Sequence, residues 1–218
     1  MAPSLPPNAF AGIGLACRRG ERTVFERLDF TLLPGGALVL TGPNGSGKSS
    51  LLRLMAGLAP PLSGILAWGG EDVAENPGAH RARLHFVGHA DALKPVLTVA
   101  ESLAFWAGMH GGDAVEEALD RFGLAPLADL PCRVLSAGQR RRVALARLVA
   151  SPASLWLLDE PLTGLDTDAV ADLHEAIAAH RDAGGRVVLS THAPLALAEA
   201  ATLSLADFAA RATADDLA

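Results

Sequence analysis

The stretch ALVLTGPNGSGKSS, residues 37–50, decides the fold of this chain. Its first part, ALVLTG (37–42), is an apolar run typical of a buried parallel strand, and helical spacing begins at Lys48. Between them, GPNGSGKS (42–49) matches the pattern G-x-x-x-x-G-K-[ST] in the strand–turn–helix context that such a loop requires. Glycines there let backbone N–H groups converge on phosphate oxygens, and a helix N-terminus favours negative charge. The sequence therefore predicts a loop that holds the phosphates of a nucleotide.

Two side chains of this loop have predicted chemical roles. Lys48 supplies a point charge for the β- and γ-phosphates, and the Ser49 hydroxyl can ligate Mg²⁺. The alternative, a glycine-rich turn with an incidental lysine, fits the spacing and the flanking elements poorly. The ATP-binding residues predicted in this segment are Gly42, Pro43, Asn44, Gly45, Ser46, Gly47, Lys48, Ser49 and Ser50.

A second motif, LWLLDE (155–160), ends a predicted strand with two acids. Ligands of open α/β sheets bind outside the carboxyl ends of the strands, where both acids emerge. Asp159 is predicted to hold the Mg²⁺ shell, and Glu160 is predicted to polarise an attacking water. The alternative, two unrelated surface acids, is disfavoured because a phosphate loop precedes them.

A third motif, LSAGQRRR (135–142), opens a helix that runs to about Ala150. Ser136 is its predicted N-cap, and the amides at the helix N-terminus can take an anion. The residues predicted to do so are Ser136, Ala137, Gly138 and Gln139. The alternative is an ordinary capped helix with an exposed arginine face.

The remaining pattern predicts the architecture. Strands are predicted at 23–33, 37–42, 65–68, 84–87, 154–160 and 186–191. Helices are predicted at 48–57, at three segments within 98–150 and at 169–183, and residues 206–218 are predicted to be a short helix or a frayed end. Strands toward both ends of the chain, with helices alone in the middle, indicate an α/β core with a helical insertion.

Composition narrows the class of protein. The 18 Lys and Arg against 24 Asp and Glu give a net charge of −6, which argues against nucleic-acid binding as the main function. Mean hydropathy is +0.28, yet no apolar stretch reaches the roughly 18–20 residues that a spanning helix needs. Cys17 and Cys132 are far apart in sequence and are expected to be reduced thiols of a cytoplasmic protein. The N-terminus has no pattern typical of a signal peptide.

Together, the three motifs resemble the nucleotide-binding subunit of ABC transporters, a class of phosphate-loop NTPases with a RecA-like core. The resemblance runs from about Gly12 to Phe208 and adds a D-loop, LTGLD (162–166), and a switch histidine after the last predicted strand, in STH (190–192). It implies that Asp166 belongs to the D-loop and that His192 contacts the γ-phosphate. It also implies a core of residues 1–88 and 151–218 with a helical subdomain at 89–150.

The same resemblance implies an activity and partners. The chain is expected to hydrolyse ATP with Mg²⁺, and the ATP is expected to lie between two copies of the chain arranged head to tail. Each site would use the phosphate loop of one copy and the signature of the other. The further partners implied are integral membrane transporter subunits at the cytoplasmic face of the inner membrane. The chain would touch the membrane only through them.

Three positions depart from the family pattern. Ala137 stands where the signature usually has glycine. His89 lies nine residues before Thr98, where the family has its Q-loop glutamine, and an imidazole can partly replace an amide as a Mg²⁺ or water contact. The alternative is a loop histidine without a catalytic role. The chain has no tyrosine, so the adenine is expected to stack on Arg19, with Arg18 beside it; the alternative is a turn of solvated arginines.

Within the family, the chain resembles the ATPase subunit of the haem-export system of cytochrome c biogenesis. The resemblance rests on the G-H pair at the Q-loop, on LSAGQRRR, on WLLDEPLTGLD and on STHAPL. The alternatives are an ABC exporter of another substrate, a phosphate-loop kinase of small molecules, and a soluble ABC ATPase.

Overall fold

The computed structural model describes residues 6–191 and 197–210. Its strands are β1 (Phe10–Arg19), β2 (Arg22–Leu32), β3 (Ala37–Thr41), β4 (Ser63–Trp68), β5 (Glu71–Asp72), β6 (Leu84–Val87), β7 (Leu155–Asp159), β8 (Arg186–Ser190) and β9 (Ala201–Ser204). Its α-helices are α1 (Lys48–Met55), α2 (Pro77–Ala82), α3 (Val99–Met109), α4 (Val115–Arg121), α5 (Ala137–Ala150) and α6 (Thr167–Asp182).

A five-stranded parallel sheet, in the order β6-β7-β8-β3-β9, forms the centre of the fold. Strands β7 and β8 are buried along their whole length, as expected for parallel strands covered on both faces. Because parallel strands end at the same edge of a sheet, the phosphate loop after β3 and the acids after β7 meet there. This edge positions the candidate site.

A four-stranded antiparallel sheet, in the order β2-β1-β4-β5, covers the phosphate loop from one side. The β1–β2 hairpin pairs Arg19 with Arg22 at its turn. A Cβ atom on Gly47 would come within 2.7 Å of the Val24 side chain, so the loop packs tightly against β2. The hairpin thus brings Arg19 and Val24 next to a loop that follows them by about twenty residues.

Two hydrophobic clusters hold these layers together. Helix α1 fills the space between the two sheets, where Leu51, Leu52 and Met55 are fully buried. The second cluster joins the other face of the parallel sheet to α3, α4, α5 and α6, with Phe122 and Leu145 at its centre. Among the described residues, none of the helices combines the length and the apolar character that crossing a bilayer requires.

The predicted α/β fold class is confirmed, and each predicted strand and helix in the motif regions is present within a few residues. Strands β1, β5 and β9 and helix α2 were not predicted. The pattern of β1 is obscured by glycines and by shifts of pairing register between Gly12 and Cys17. A short 3₁₀ turn at Leu205–Phe208 replaces the start of the predicted C-terminal helix. The limits 1–88, 89–150 and 151–218 stay a prediction, and α3, α4 and α5 fall within the middle range.

Candidate functional site

The phosphate loop has a backbone that only glycine adopts easily. Gly47 precedes α1 with φ 104°, and Gly42 has φ 136°, both in a region that disfavours a Cβ atom. Lys48, the first residue of α1, is buried, and its Nζ donates to the carbonyl oxygens of Gly42 (2.8 Å) and Pro43 (3.3 Å). The ammonium group therefore lies across its own loop, at the start of a helix that favours an anion.

A cavity of about 390 Å³ opens at this loop. Its lining joins side chains from β1, β2, the phosphate loop and the ends of β6 and β7. The residues that line it are Arg19, Val24, Asn44, Gly45, Gly47, Lys48, Ser49, Ser50, His89, Glu160 and Thr163. The structure thus brings together five parts of the chain that sequence reasoning had connected only through motifs.

The two acids at the end of β7 are held by the same two side chains, Ser190 and Arg141. Asp159 is 4% exposed, and its Oδ1 accepts a hydrogen bond from the Ser190 hydroxyl at 2.7 Å. Glu160 has φ 49°, a left-handed conformation that is uncommon for a non-glycine residue. Its N–H donates to Ser190 Oγ (2.9 Å), and its carbonyl oxygen accepts from Arg141 Nη2 (2.9 Å). Arg141 Nη2 also donates to the Asp159 carbonyl oxygen (3.0 Å), so both acids are fixed through β8 and through α5.

The signature motif forms the start of α5. Ser136 is the N-cap, as predicted: its Oγ accepts from the Gln139 N–H, and the Gln139 side chain accepts from the Ser136 N–H in return. Ser136 and Ala137 are exposed, and Gly138 lies close to the Gly164 carbonyl oxygen. No residue of 136–139 is among the described residues that line the cavity of the phosphate loop.

The alternative prediction for this helix, an exposed arginine face, is wrong. Arg141 is 6% exposed and Arg147 is 4% exposed, and Arg140 and Arg142 are half-buried. Arg140 and Arg142 donate to backbone carbonyl oxygens before and beside the helix. The arginines of α5 are therefore structural donors.

The D-loop follows Glu160 on the same side of the cavity. Thr163 lines the cavity, and Asp166 caps α6 by accepting the Ala169 N–H at 2.9 Å. The predicted switch residue His192 lies outside the described residues.

A second cavity of about 470 Å³ adjoins the first beneath the β1–β2 hairpin. Arg19, Ser49, Ser50 and His89 line both cavities, and Asp159 lines the second. Other residues in its lining include Cys17, Arg18 and Arg53. Burial raises the pKa of the Cys17 thiol, and Cys17 and Cys132 are both buried and free. The thiols are therefore protonated core groups, without a bond to each other.

Two residues that hold the acids were not found from the sequence. Ser190 and Arg141 hydrogen-bond to the acids, and each reaches them from an element at least 18 positions away in sequence. Ser190 carried one usable signal, since it ends an apolar strand at the edge where ligands bind. Arg141 had none, because three consecutive arginines after a helix cap are more typical of an exposed face.

A phosphate loop, two acids at the end of β7 and a capped helix that begins with the signature residues are together the elements of an ATP-binding subunit of the ABC class. The family model for ABC transporters matches residues 25–163. The chain is similar in fold to a Pyrococcus furiosus protein described as an ABC transporter ATP-binding protein, with a TM-score of 0.81 at 22% identity, covering 93% of this chain and 100% of that one. A solved ATP-binding subunit of an ABC transporter gives a TM-score of 0.76 at 26% identity over 84% of this chain and 79% of that one.

Sequence relatives narrow the class. The chain is 57% identical to the cytochrome c biogenesis ATP-binding export protein CcmA of Paramagnetospirillum magneticum, over 93% of this chain and 96% of the relative. It is also 57% identical to the protein of the same name from Rhodospirillum rubrum, over 93% of this chain and 88% of the relative. The chain therefore belongs to the CcmA family of ABC transporter ATPases. It is an ATP-hydrolysing subunit.

Proposed function

We propose that this ATPase hydrolyses Mg²⁺-bound ATP between two copies of the chain and thereby drives haem export for cytochrome c maturation. The observation that carries the proposal is that the phosphate loop and the signature residues of one chain lie at separate places. The phosphate loop, His89 and Glu160 line one cavity, whereas the signature residues 136–139 lie at an exposed helix N-terminus outside that lining. A second copy, turned head to tail, would supply the missing anion donors.

The oxygen donors at the loop fit Mg²⁺. Mg²⁺ prefers oxygen ligands and is usually held by one or two carboxylates together with substrate phosphates and waters. The Ser49 hydroxyl and the Asp159 carboxylate line the same adjoining cavity, and no group of three or more acids, histidines and cysteines that could hold a metal occurs among the described residues. Ser49 and Asp159 would hold the ion, which supplies charge neutralisation at the phosphates. His89, a nitrogen donor, would contact it through water.

The chain's own side chains and amides would bind ATP and promote its hydrolysis by positioning the reactants and by electrostatic stabilisation. Lys48 would exchange its contacts with the carbonyl oxygens of Gly42 and Pro43 for phosphate oxygens, which the backbone N–H groups of residues 44–49 would also bind. Glu160, which lines the cavity, would orient the attacking water and accept its proton. Asp166 and His192 would complete the site from the D-loop and from the segment after β8. Arg19 would stack on adenine.

The export role follows from the names of the relatives together with simple chemistry. Those relatives are ATP-binding proteins of export in cytochrome c biogenesis. Haem becomes covalently attached to c-type cytochromes outside the cytoplasm, so the step that this ATPase drives would supply haem there, either as haem itself or by release of a haem-loaded carrier protein. This chain would dock on integral membrane subunits at the cytoplasmic face of the inner membrane and touch the bilayer only through them.

The biochemical experiment uses two inactive variants, each of which damages a different half of the composite ATP site. Lys48→Ala removes the phosphate contact, and Ser136→Arg blocks the signature while leaving the loop intact. Each variant alone should lack ATPase activity. An equal mixture should recover up to about one quarter of the wild-type rate, because about half of the dimers are mixed and each mixed dimer keeps one of its two sites with an intact loop and an intact signature. A mixture as inactive as its components would contradict the head-to-tail arrangement.

The cellular experiment tests the role in cytochrome c maturation. Loss of this ATPase should abolish covalent haem staining of c-type cytochromes and leave b-type spectra intact, because b-type cytochromes take up haem without covalent attachment. Complementation with wild type should restore staining, and complementation with Lys48→Ala should not. Normal c-type cytochromes in the null strain would contradict the export role and leave the ATPase assignment untouched.

A further inference from the structure

One buried cation ties three parts of the site together. The guanidinium of Arg141, on α5, lies among backbone oxygens at the carboxyl ends of β6 and β7. Its hydrogen bonds go to the carbonyl oxygens of Gly88 (2.9 Å), Asp159 (3.0 Å), Glu160 (2.9 Å) and Pro161 (3.4 Å) and to Asp91 Oδ1 (3.4 Å). All the nitrogens of the guanidinium are thereby used. The side chain is 7% exposed, so water has little access to these bonds.

The bond to Glu160 constrains a backbone that would otherwise relax. Glu160 has φ 49°, a conformation that costs free energy for a non-glycine residue and persists only where neighbours hold it. Ser190 fixes the N–H side of this residue, and Arg141 fixes its carbonyl side. The direction in which the Glu160 side chain leaves the backbone therefore depends on where Arg141 lies.

The same side chain connects Glu160 to the helix of the signature. Ser136 is the N-cap of α5, and Arg141 lies five residues further along that rigid helix. The planar guanidinium fork has a fixed geometry, and hydrogen bonds weaken steeply when their angle or length changes. A displacement of α5 would leave several buried carbonyl groups without donors unless the ends of β6 and β7 moved with it.

We propose that Arg141 is a positioning residue that holds Glu160 and the 88–91 segment in register with the signature helix. It acts through Glu160 and His89 and does not itself touch ATP. The inference rests on the proposed function, in which Glu160 is the catalytic base and α5 presents the signature to ATP bound by the other copy.

The test compares Arg141→Gln and Arg141→Lys with Arg147→Gln in the purified full-length chain. Arg147 is a matched control because it lies on the same helix, is equally buried, and bonds to the Phe86 carbonyl oxygen while its guanidinium lies over Trp106. ATP affinity, kcat, KM and melting temperature are measured for each variant, and kcat is expressed per folded molecule.

Arg141→Gln should lower kcat by about 10–100-fold while KM and ATP affinity change less than about threefold, since it misplaces a base without removing a substrate contact. Arg141→Lys should recover part of the loss because it restores one cation with fewer donors. Arg147→Gln should lower the melting temperature and keep kcat within about threefold of wild type. This split between kcat and stability is what a purely structural arginine would not produce.

Wild-type kcat in folded Arg141→Gln, or equal loss of kcat in the Arg141 and Arg147 variants, would overturn the inference. If Arg141→Gln does not fold, Arg141→Lys decides by the same criterion. Glu160→Gln is measured in parallel to separate the proposed role of Glu160 as the base from the proposed positioning role of Arg141. Wild-type turnover in Glu160→Gln would refute the proposed base itself, whereas an inactive Glu160→Gln beside a fully active Arg141→Gln would refute the positioning role alone.

Discussion

The hydroxyl of Ser190 donates to Asp159 Oδ1 at 2.7 Å. Ser190 is fully buried at the end of β8, and Asp159 ends the neighbouring strand β7, directly opposite in the parallel register. The same hydroxyl oxygen accepts the Glu160 N–H at 2.9 Å. One side chain thus orients the candidate metal ligand and the candidate base together.

Ser190→Ala should therefore weaken the response to Mg²⁺. Removing the hydroxyl leaves a buried carboxylate oxygen and an amide without their partner, which should cost about 1–3 kcal/mol of unfolding free energy. The freed carboxylate should raise the Mg²⁺ concentration that gives half-maximal ATPase activity and should lower kcat. A Mg²⁺ titration of the ATPase rate measures both.

Ser151→Ala is the control for that experiment. Ser151 is also buried, but its hydroxyl lies 3.1 Å from His85 Nε2, remote from the acids. This variant should lose stability and keep the wild-type dependence on Mg²⁺. If Ser190→Ala also kept the wild-type dependence on Mg²⁺, Ser190 would have only a structural role.

Glu160→Gln should separate binding from hydrolysis. Glutamine keeps the shape of the side chain and its hydrogen bonding but removes the base, so hydrolysis should fall by about 10²–10⁴-fold while ATP still binds. Lys48→Ala should instead weaken nucleotide binding itself. Glu116→Gln, an exposed acid on α4, should change neither property. Isothermal titration with ATP and a phosphate-release assay provide the two readouts.

The histidine at the Q-loop position gives a graded prediction. His89 lines both cavities at the site, so it can contact the metal or the water shell through one ring nitrogen. His89→Gln should retain much of the activity and His89→Ala should lose most of it, measured in the complete transporter. His174→Ala on α6 is a control expected to be active. Equal activity of wild type, His89→Gln and His89→Ala would make His89 an ordinary loop residue.

The adenine contact is tested at Arg19. Because a stacked guanidinium contributes about 0.5–2 kcal/mol, Arg19→Ala should weaken ATP affinity by about 2- to 30-fold and change kcat little. Arg19→Tyr should restore affinity, since a phenol ring stacks equally well. Arg22→Ala, directly across the hairpin, is the control. Unchanged affinity in Arg19→Ala would move the contact to Arg18 or remove it.

Stability should fall on mild acidification because of buried histidines. His85 is 3% exposed, and burial lowers its pKa to about 4; His180, stacked 3.9 Å from Trp156, is likewise lowered by burial to about 4. A histidine whose folded pKa lies below the unfolded value near 6.5 stabilises the fold fully above that value, and loses this contribution as pH falls toward the folded pKa.

The free energy of unfolding should therefore decrease between pH 6.5 and pH 5, by at most about 1.4 kcal/mol per pH unit for His85. Urea denaturation at a series of pH values measures the slope. His85→Gln should flatten it, because the titrating group is gone. The same slope in wild type and His85→Gln would show that other groups set the acid response.

Much of the site could be predicted from the sequence because its motifs are local. The spacing of residues 42–49 dictates a glycine backbone and a helix start within a few residues, and the Ser136–Gln139 capping pair spans only three positions. Strand β7 could be predicted with its two acids because four apolar residues precede them. The roles of His89, Arg19 and His192 stay predictions.

Tertiary structure decided everything that joins separate segments. The burial of Arg141 depends on carbonyl groups up to 53 positions away in sequence, and the partner of Asp159 is 31 positions away. Strand β9 exists because β3 offers it an edge, and its four residues carry too short a pattern to indicate a strand. Local sequence fixes short-range backbone geometry through φ and ψ preferences and caps. Long-range hydrogen bonds form only when the core brings their partners together, so a linear pattern holds no signal for them.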